Sequence, residues 1–240
     1  MKIAILTPTR GRVQGLERLY NSIINTISGN NQIDFVYYVD NDDPAFSNYA
    51  SLKLIKDKNI RVVFVSGQRN PICKTWNLLV NYSDADWYMC GNDDFIFNTK
   101  NWDLILENKI KTALHPYFMY FFDDGIQGMN HAAFPIVSKE WISAIGYYFP
   151  EKFIHNYPDT WVNDIALIAG IRVYISEVKT THLHYSEGLS EYDKTYSDGL
   201  EGNSNEIDKR IYIETAQERV NLGNLIKEKI KLWEQLGSSL

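Results

Sequence analysis

A chain of 240 residues, 45% hydrophobic and 22% charged, has the make-up of a globular protein with a substantial core. Its formal net charge of −6 weighs against a protein that grips nucleic acid through the phosphate backbone. The two cysteines, Cys73 and Cys90, form no C-x-x-C pair, and no apolar run reaches the length of a signal h-region or a membrane span, so a reduced, cytoplasmic setting is expected.

In chain order, the first apolar run is Lys2-Ile3-Ala4-Ile5-Leu6-Thr7, followed by 34–40 and 61–66. Each is short, β-rich and nearly unbroken, as expected of parallel strands buried on both faces. Between them, Leu16, Leu19, Tyr20, Ile23 and Ile27 recur at helical spacing, and helices are expected again over 46–57 and around Ile72, Trp76, Leu79 and Val80. A fourth strand is expected at 86–90. Strand and helix in alternation predict a wound, mostly parallel α/β sheet. Downstream, strands are expected at 117–122, 132–137, 172–175 and 179–183. Helices are expected from Lys139 to Gly146 and from Asp159 to Ala169, the latter stopping at Gly170. The stretch 186–205, rich in Gly, Ser, Asp and Asn, predicts a loop able to close over a site. An amphipathic helix within 206–240 is expected to pack on the domain or to mediate oligomerisation.

Ligands of open α/β sheets bind beyond the carboxyl ends of the strands, so the residues that follow each strand are the candidates. After the first come Thr7, Thr9, Arg10 and Arg12, whose hydroxyls and guanidiniums suit a nucleotide with its phosphates. After the second come Asp40 and Asp42, acceptors for ribose hydroxyls or a base N–H. After the third come Arg69 and, on the next helix, Lys74, within reach of base or phosphate. The fourth strand ends in Asn92-Asp93-Asp94 and runs on into Phe95-Ile96-Phe97. Carboxylates in so apolar a setting need partners, and Mg²⁺ or Mn²⁺ shared with a substrate diphosphate would supply them. Asp93 and Asp94 are therefore the expected carboxylates of a metal site. His182 and His184, at i and i+2 of one strand, are candidates to complete the metal site. Asp123-Asp124-Gly125 reads as a turn or as a contact to sugar or acceptor, and Asp159 as a helix N-cap or a functional carboxylate.

With these positions in view, residues 2–185 resemble the GT-A glycosyltransferases, the family 2-like group in particular. Thr7, Arg10 and Asp40 match that family's nucleoside-binding positions. Asn92-Asp93-Asp94 matches its D-x-D metal motif with Asn in place of the first acid, which implies Asp94 as the metal ligand and Asp93 as a contact to sugar or ribose or an indirect support. Asp159, eleven residues before Gly170, matches its catalytic base, with Pro158 where the family often has Glu. The resemblance implies a single Rossmann-like GT-A domain over 1–185. It also implies a metal-dependent transfer of sugar from a nucleotide diphosphate sugar to an acceptor hydroxyl, with inversion. The acceptor would be a glycan, a lipid-linked molecule or another hydroxyl compound; a nucleic acid is less favoured by the charge. The alternative is a non-catalytic nucleotide- or glycan-binding protein that keeps the fold.

Overall fold

The computed structural model describes residues 1–189 and 204–237. The first half alternates as expected: β1 (Lys2–Thr9), α1 (Val13–Thr26), β2 (Gln32–Asp40), α2 (Phe46–Ala50), β3 (Ile60–Gly67), α3 (Ile72–Val80) and β4 (Trp87–Cys90). Then follow β5 (Phe95–Phe97), α4 (Trp102–Lys111), β6 (Met119–Asp123), β7 (Ile136–Ser138), α5 (Lys139–Ile145), α6 (Pro158–Ala169), β8 (Arg172–His182), α7 (Ser204–Glu214) and α8 (Ala216–Gly237). No helix among the described residues is long and apolar enough to cross a membrane.

The strands form one sheet in the order β3-β2-β1-β4-β7-β6-β8-β5. β1 runs parallel to β2 (Thr9 opposite Val39) and to β4 (Leu6 opposite Cys90), and β2 runs parallel to β3 (Asp40 opposite Gly67). The carboxyl ends of these four strands therefore share one edge. The order reverses at β1, which opens a crevice there for a ligand. Ile3, Ala4, Ile5 and Leu6 are fully buried, as are Phe35, Val36 and Val39, which accounts for the unbroken apolar runs. β7 is antiparallel to both neighbours, β6 and β8 are parallel, and β5 is antiparallel to β8.

Several elements differ from expectation for visible reasons. The helix expected over 46–57 ends at Ala50. Beyond it, Lys53, Ile55, Lys56 and Lys58 are exposed, and Leu52 and Leu54 alternate with them rather than lining a helical face. The strands expected at 172–175 and 179–183 are one strand with a register jump, from Phe122 opposite Ile175 to Asp123 opposite Lys179. Its first half pairs with β6, its second with β5. The closing helix is two, α7 and α8, parted at Thr215. α4 had no counterpart in the sequence reading; it buries Trp102, Asp103 and Leu106. α6 ends as expected at Gly170, which takes the left-handed conformation at φ 74°. The expected loop 186–205 lies mostly outside the described residues.

α7 and α8 are bound to the sheet domain through polar contacts as well as apolar packing. Asp208 of α7, 0% exposed, accepts the backbone N–H groups of Ile154 (2.8 Å), His155 (2.9 Å) and Asn156 (2.7 Å). Tyr157 follows at a left-handed φ of 72° and stacks on Tyr212 of α7. In α8, Arg219 pairs with Asp164 at 2.9 Å and lies 5.3 Å from the centroid of the Trp161 ring. Gly223 meets Ile168 of α6 at close range.

Candidate functional site

A cleft of about 550 Å³ opens at the shared strand edge. Its floor is built by the ends of β1, β2 and β4, and its sides by Arg69–Ile72, Thr75, Ile154, His155, His182 and His184.

Three polar clusters organise it. At one side, Arg10 Nη1 donates to Asp40 Oδ2 (3.0 Å) and Asp42 Oδ1 (2.6 Å). Burial raises the Asp40 carboxyl above its ordinary pKa against the pull of the Arg10 charge. Tyr38 stands beside them, its hydroxyl donating to Gln68 O at 2.6 Å and accepting from Asn70 Nδ2 at 3.3 Å. This arrangement presents a ring, a carboxylate and the Asn70 side-chain amide around one end of the cleft.

At the centre, Asp93 is 5% exposed. Its Oδ2 accepts the Thr9 hydroxyl at 2.7 Å, and its Oδ1 lies 3.1 Å from Arg12 Nη1. Tyr49 supports this group, its hydroxyl 3.0 Å from Thr9 Oγ1 and accepting the Arg12 backbone N–H at 2.6 Å. Burial pushes the Asp93 carboxyl up, with the Arg12 guanidinium opposing. The loop is held from below by α1: a Cβ on Gly15 would stand 2.5 Å from the Asp93 carbonyl oxygen. Only glycine lets the helix approach so near.

On the far side, β5 carries Asp94 against the end of β8. Phe95 pairs with His182, and Leu183 N donates to Asp94 O at 2.7 Å. Asp94 Oδ2 thereby lies 3.7 Å from His182 Nε2 and 3.8 Å from Arg12 Nη1. The His182 ring is set edge-on to Phe134 at 4.9 Å, and the His184 ring lies 5.2 Å from it. Burial and the neighbouring His182 push the His184 pKa down. A carboxylate with imidazole nitrogen is a donor set that suits Mn²⁺ better than Mg²⁺. Among the described residues no group of three or more His, Cys, Asp or Glu could hold a metal ion by itself. The residues fit a cation only when phosphate oxygens and water fill the other positions.

The cleft thus gathers Thr9, Arg10, Asp40, Arg69, Asp93, Asp94, His182 and His184. Four other candidates do not line it. Thr7 is fully buried under Gly91. Asp42 is exposed and pairs with Arg10. Lys74 is exposed on α3. Asp159, in the first turn of α6, pairs with His131 Nε2 at 2.8 Å. The Asp123-Asp124 pair forms a turn: Asp124 Oδ1 accepts the N–H groups of Ile126, Gln127 and Gly128. Sequence reasoning missed Tyr38, Ile154 and His155 as lining residues. Tyr38 is read as core in a β-rich run, and His155 lies in an irregular segment with no periodicity to mark it.

Sheet order, crevice and the β5–β8 clasp define a GT-A-like glycosyltransferase fold. Solved structures agree. A crystal structure of S. aureus TarS 1-349 in complex with UDP matches at TM-score 0.56 and 14% identity, over 75% of this chain and 60% of that chain. The same TarS fragment in complex with UDP-GlcNAc matches at 0.56 and 13% identity, over 83% and 64%. The mannosyltransferase PcManGT from Pyrobaculum calidifontis, in complex with GDP-Man and Mn²⁺, matches at 0.57 and 10% identity, over 98% and 84%. At these identities the likeness is one of fold, and the chain spans less than two thirds of the TarS fragment. No protein-family model matches the chain, and no curated protein matches it by sequence.

Proposed function

We infer that this protein transfers a sugar from a nucleotide diphosphate sugar to an acceptor hydroxyl. The observation that carries this reading is the junction of Asp94 with His182 at the mouth of a GT-A crevice already furnished with Arg10, Arg12 and Asp40. The nucleoside lies along Tyr38, Asp40 and Asn70, with Arg69 toward base or phosphate, and Thr9, Arg10 and Arg12 flank the diphosphate. Asp93 fixes Arg12 and approaches the ribose or sugar. Asp94 with His182, and His184 beside it, would hold Mn²⁺ or Mg²⁺; when bound, the cation neutralises charge on the leaving diphosphate. The manganese in the PcManGT complex supports this assignment.

Asp159 is the general base. It takes the proton of the acceptor hydroxyl as that oxygen bonds to the anomeric carbon and the carbon–diphosphate bond breaks on the opposite face, with inversion. Such assistance is worth roughly 10²–10⁴-fold in rate. The acceptor is a hydroxyl compound reaching the cleft from the side of α6.

Calorimetry with UDP and GDP, with and without Mn²⁺, tests the donor half: Asp94→Ala should abolish the metal-dependent part of binding. Unchanged metal-dependent binding in that variant would remove Asp94 from the site. Asp159→Asn should keep nucleotide binding and lose transfer. The second reading, a binding protein without catalysis, is favoured by Asp159 standing outside the lining of the cleft. Neither donor hydrolysis nor transfer with any nucleotide sugar bound by the wild type would be its signature.

A further inference from the structure

We propose that His131 is a positioning residue for Asp159: it orients the carboxylate from outside the cleft. The proposal rests on Asp159 being the base.

The two groups come from elements far apart in the chain and are held together on purpose-built geometry. His131 follows the short 3-10 turn Gly128–Asn130 in extended conformation, φ −147°. Its Nε2 lies 2.8 Å from Asp159 Oδ2, while Asp159 Oδ1 accepts the Thr160 backbone N–H at 2.8 Å. Both carboxylate oxygens are thus engaged, and rotation about the terminal torsion is blocked. Asn163, one turn further along α6 and 3% exposed, fixes the backbone beside the histidine. Its Oδ1 accepts Ala132 N–H at 3.1 Å, and its Nδ2 donates to Ala132 O and to Asp159 O, both at 3.0 Å. Arg172 Nε of β8 donates to the same Oδ1 at 2.9 Å. One buried amide therefore ties the loop, the helix and the strand into a single frame around the pair.

The charged groups facing His131 are Asp159 on α6, Asp124 after β6 and Arg172 on β8. Burial and Arg172 disfavour the imidazolium; the bond to Asp159 and its charge outweigh them, so the pKa is raised above the usual histidine range. The side chains are 24% and 32% exposed, open enough to exchange protons with solvent.

Two measurements decide the matter. In an NMR titration of the full chain, the His131 imidazole should titrate above the ordinary histidine value in the wild type and fall by about a unit in Asp159→Asn. An unchanged His131 pKa in that variant overturns the pairing, whether or not any donor is ever turned over. In transfer assays with the nucleotide sugar that the wild type binds, His131→Ala should lower kcat about 10- to 100-fold with donor KM little changed. His131→Gln, whose amide nitrogen can replace Nε2 as donor, should restore much of kcat. A His131→Ala enzyme with wild-type kcat, or a glutamine variant no more active than the alanine one, overturns the proposal. A titration that shows the pairing in a protein with no transfer or hydrolysis counts against Asp159 as base and leaves the pair standing as a structural contact, which also overturns the positioning role.

Discussion

Replacing Asp208 with alanine removes the single carboxylate that receives three consecutive backbone N–H groups, those of Ile154, His155 and Asn156. Hydrogen bonds to a charged acceptor contribute about 1.5–3 kcal/mol each, and a shared acceptor makes them non-additive. Asp208 is fully buried, while residues 154–156 are partly exposed and can recover some solvation from water. The expected cost is therefore about 3–5 kcal/mol rather than the full sum. For a chain of this size that lowers Tm by roughly 6–20 °C. Asp208→Asn should fall between wild type and alanine, since its one carbonyl oxygen replaces part of the acceptor while its amide nitrogen opposes the remaining donor. Thermal unfolding measures the loss. Hydrogen exchange at Ile154, His155 and Asn156 locates it, because these amides should lose protection while those of β1 and β2 keep theirs. Ile154 and His155 line the cleft, so nucleotide affinity should drop in parallel. A Tm within about 2 °C of wild type, with protection of the three amides unchanged, would refute the reasoning.

Gly15→Ala places a Cβ 2.5 Å from the Asp93 carbonyl oxygen; despite the better helix propensity of alanine, it should weaken nucleotide binding tenfold or so by shifting the Asp93-Asp94 loop, measured by calorimetry. Gly223→Ala brings a Cβ within 2.7 Å of the Ile168 Cβ, and overpacking of about 1–3 kcal/mol should exceed the propensity gain of about 1 kcal/mol, giving a lower Tm. Asp34 is buried and held by Arg61, by Ser83 (2.6 Å) and by Lys2 (3.2 Å). Burial alone would raise its pKa, but these partners bring it below the ordinary value. A lowered folded-state pKa means that its stabilisation is complete above the unfolded value of about 3.9 and is lost as pH falls through the folded value. Asp34→Asn should therefore cost about 1–3 kcal/mol at pH 7, with the deficit shrinking in acid; a deficit that grows on acidification contradicts the sign.

The wound sheet was legible because strands buried on both faces must be apolar throughout, and Ile3–Leu6 and Phe35–Val39 are just such runs. Chain direction then brings the ends of β1 to β4 to one edge, so Thr9, Arg10, Asp40 and Asp93 could be nominated from position alone. Gly170 marked the end of α6 because a left-handed residue there needs no side chain. Local signals stop at such points. α4 went unread, and the charged stretch after Ala50 read as helix, because periodicity cannot say whether a face has anything to pack against.

What only the tertiary structure decided is which distant groups meet. Asp94 reaches His182 because β5 pairs antiparallel with the second half of β8 after a register jump, and nothing near either residue encodes that register. Arg12 stands between Asp93 and Asp94 because Gly15 lets α1 press against their loop. Asp159 meets His131, and Asp208 gathers residues 154–156, through packing of α6 and α7 that brings together segments 28 and about 50 residues apart. The sequence by itself determined the sheet and the strand ends at which polar residues collect, since both follow from local burial and chain direction. The partners of those residues depend on register and helix packing, which are properties of the whole chain.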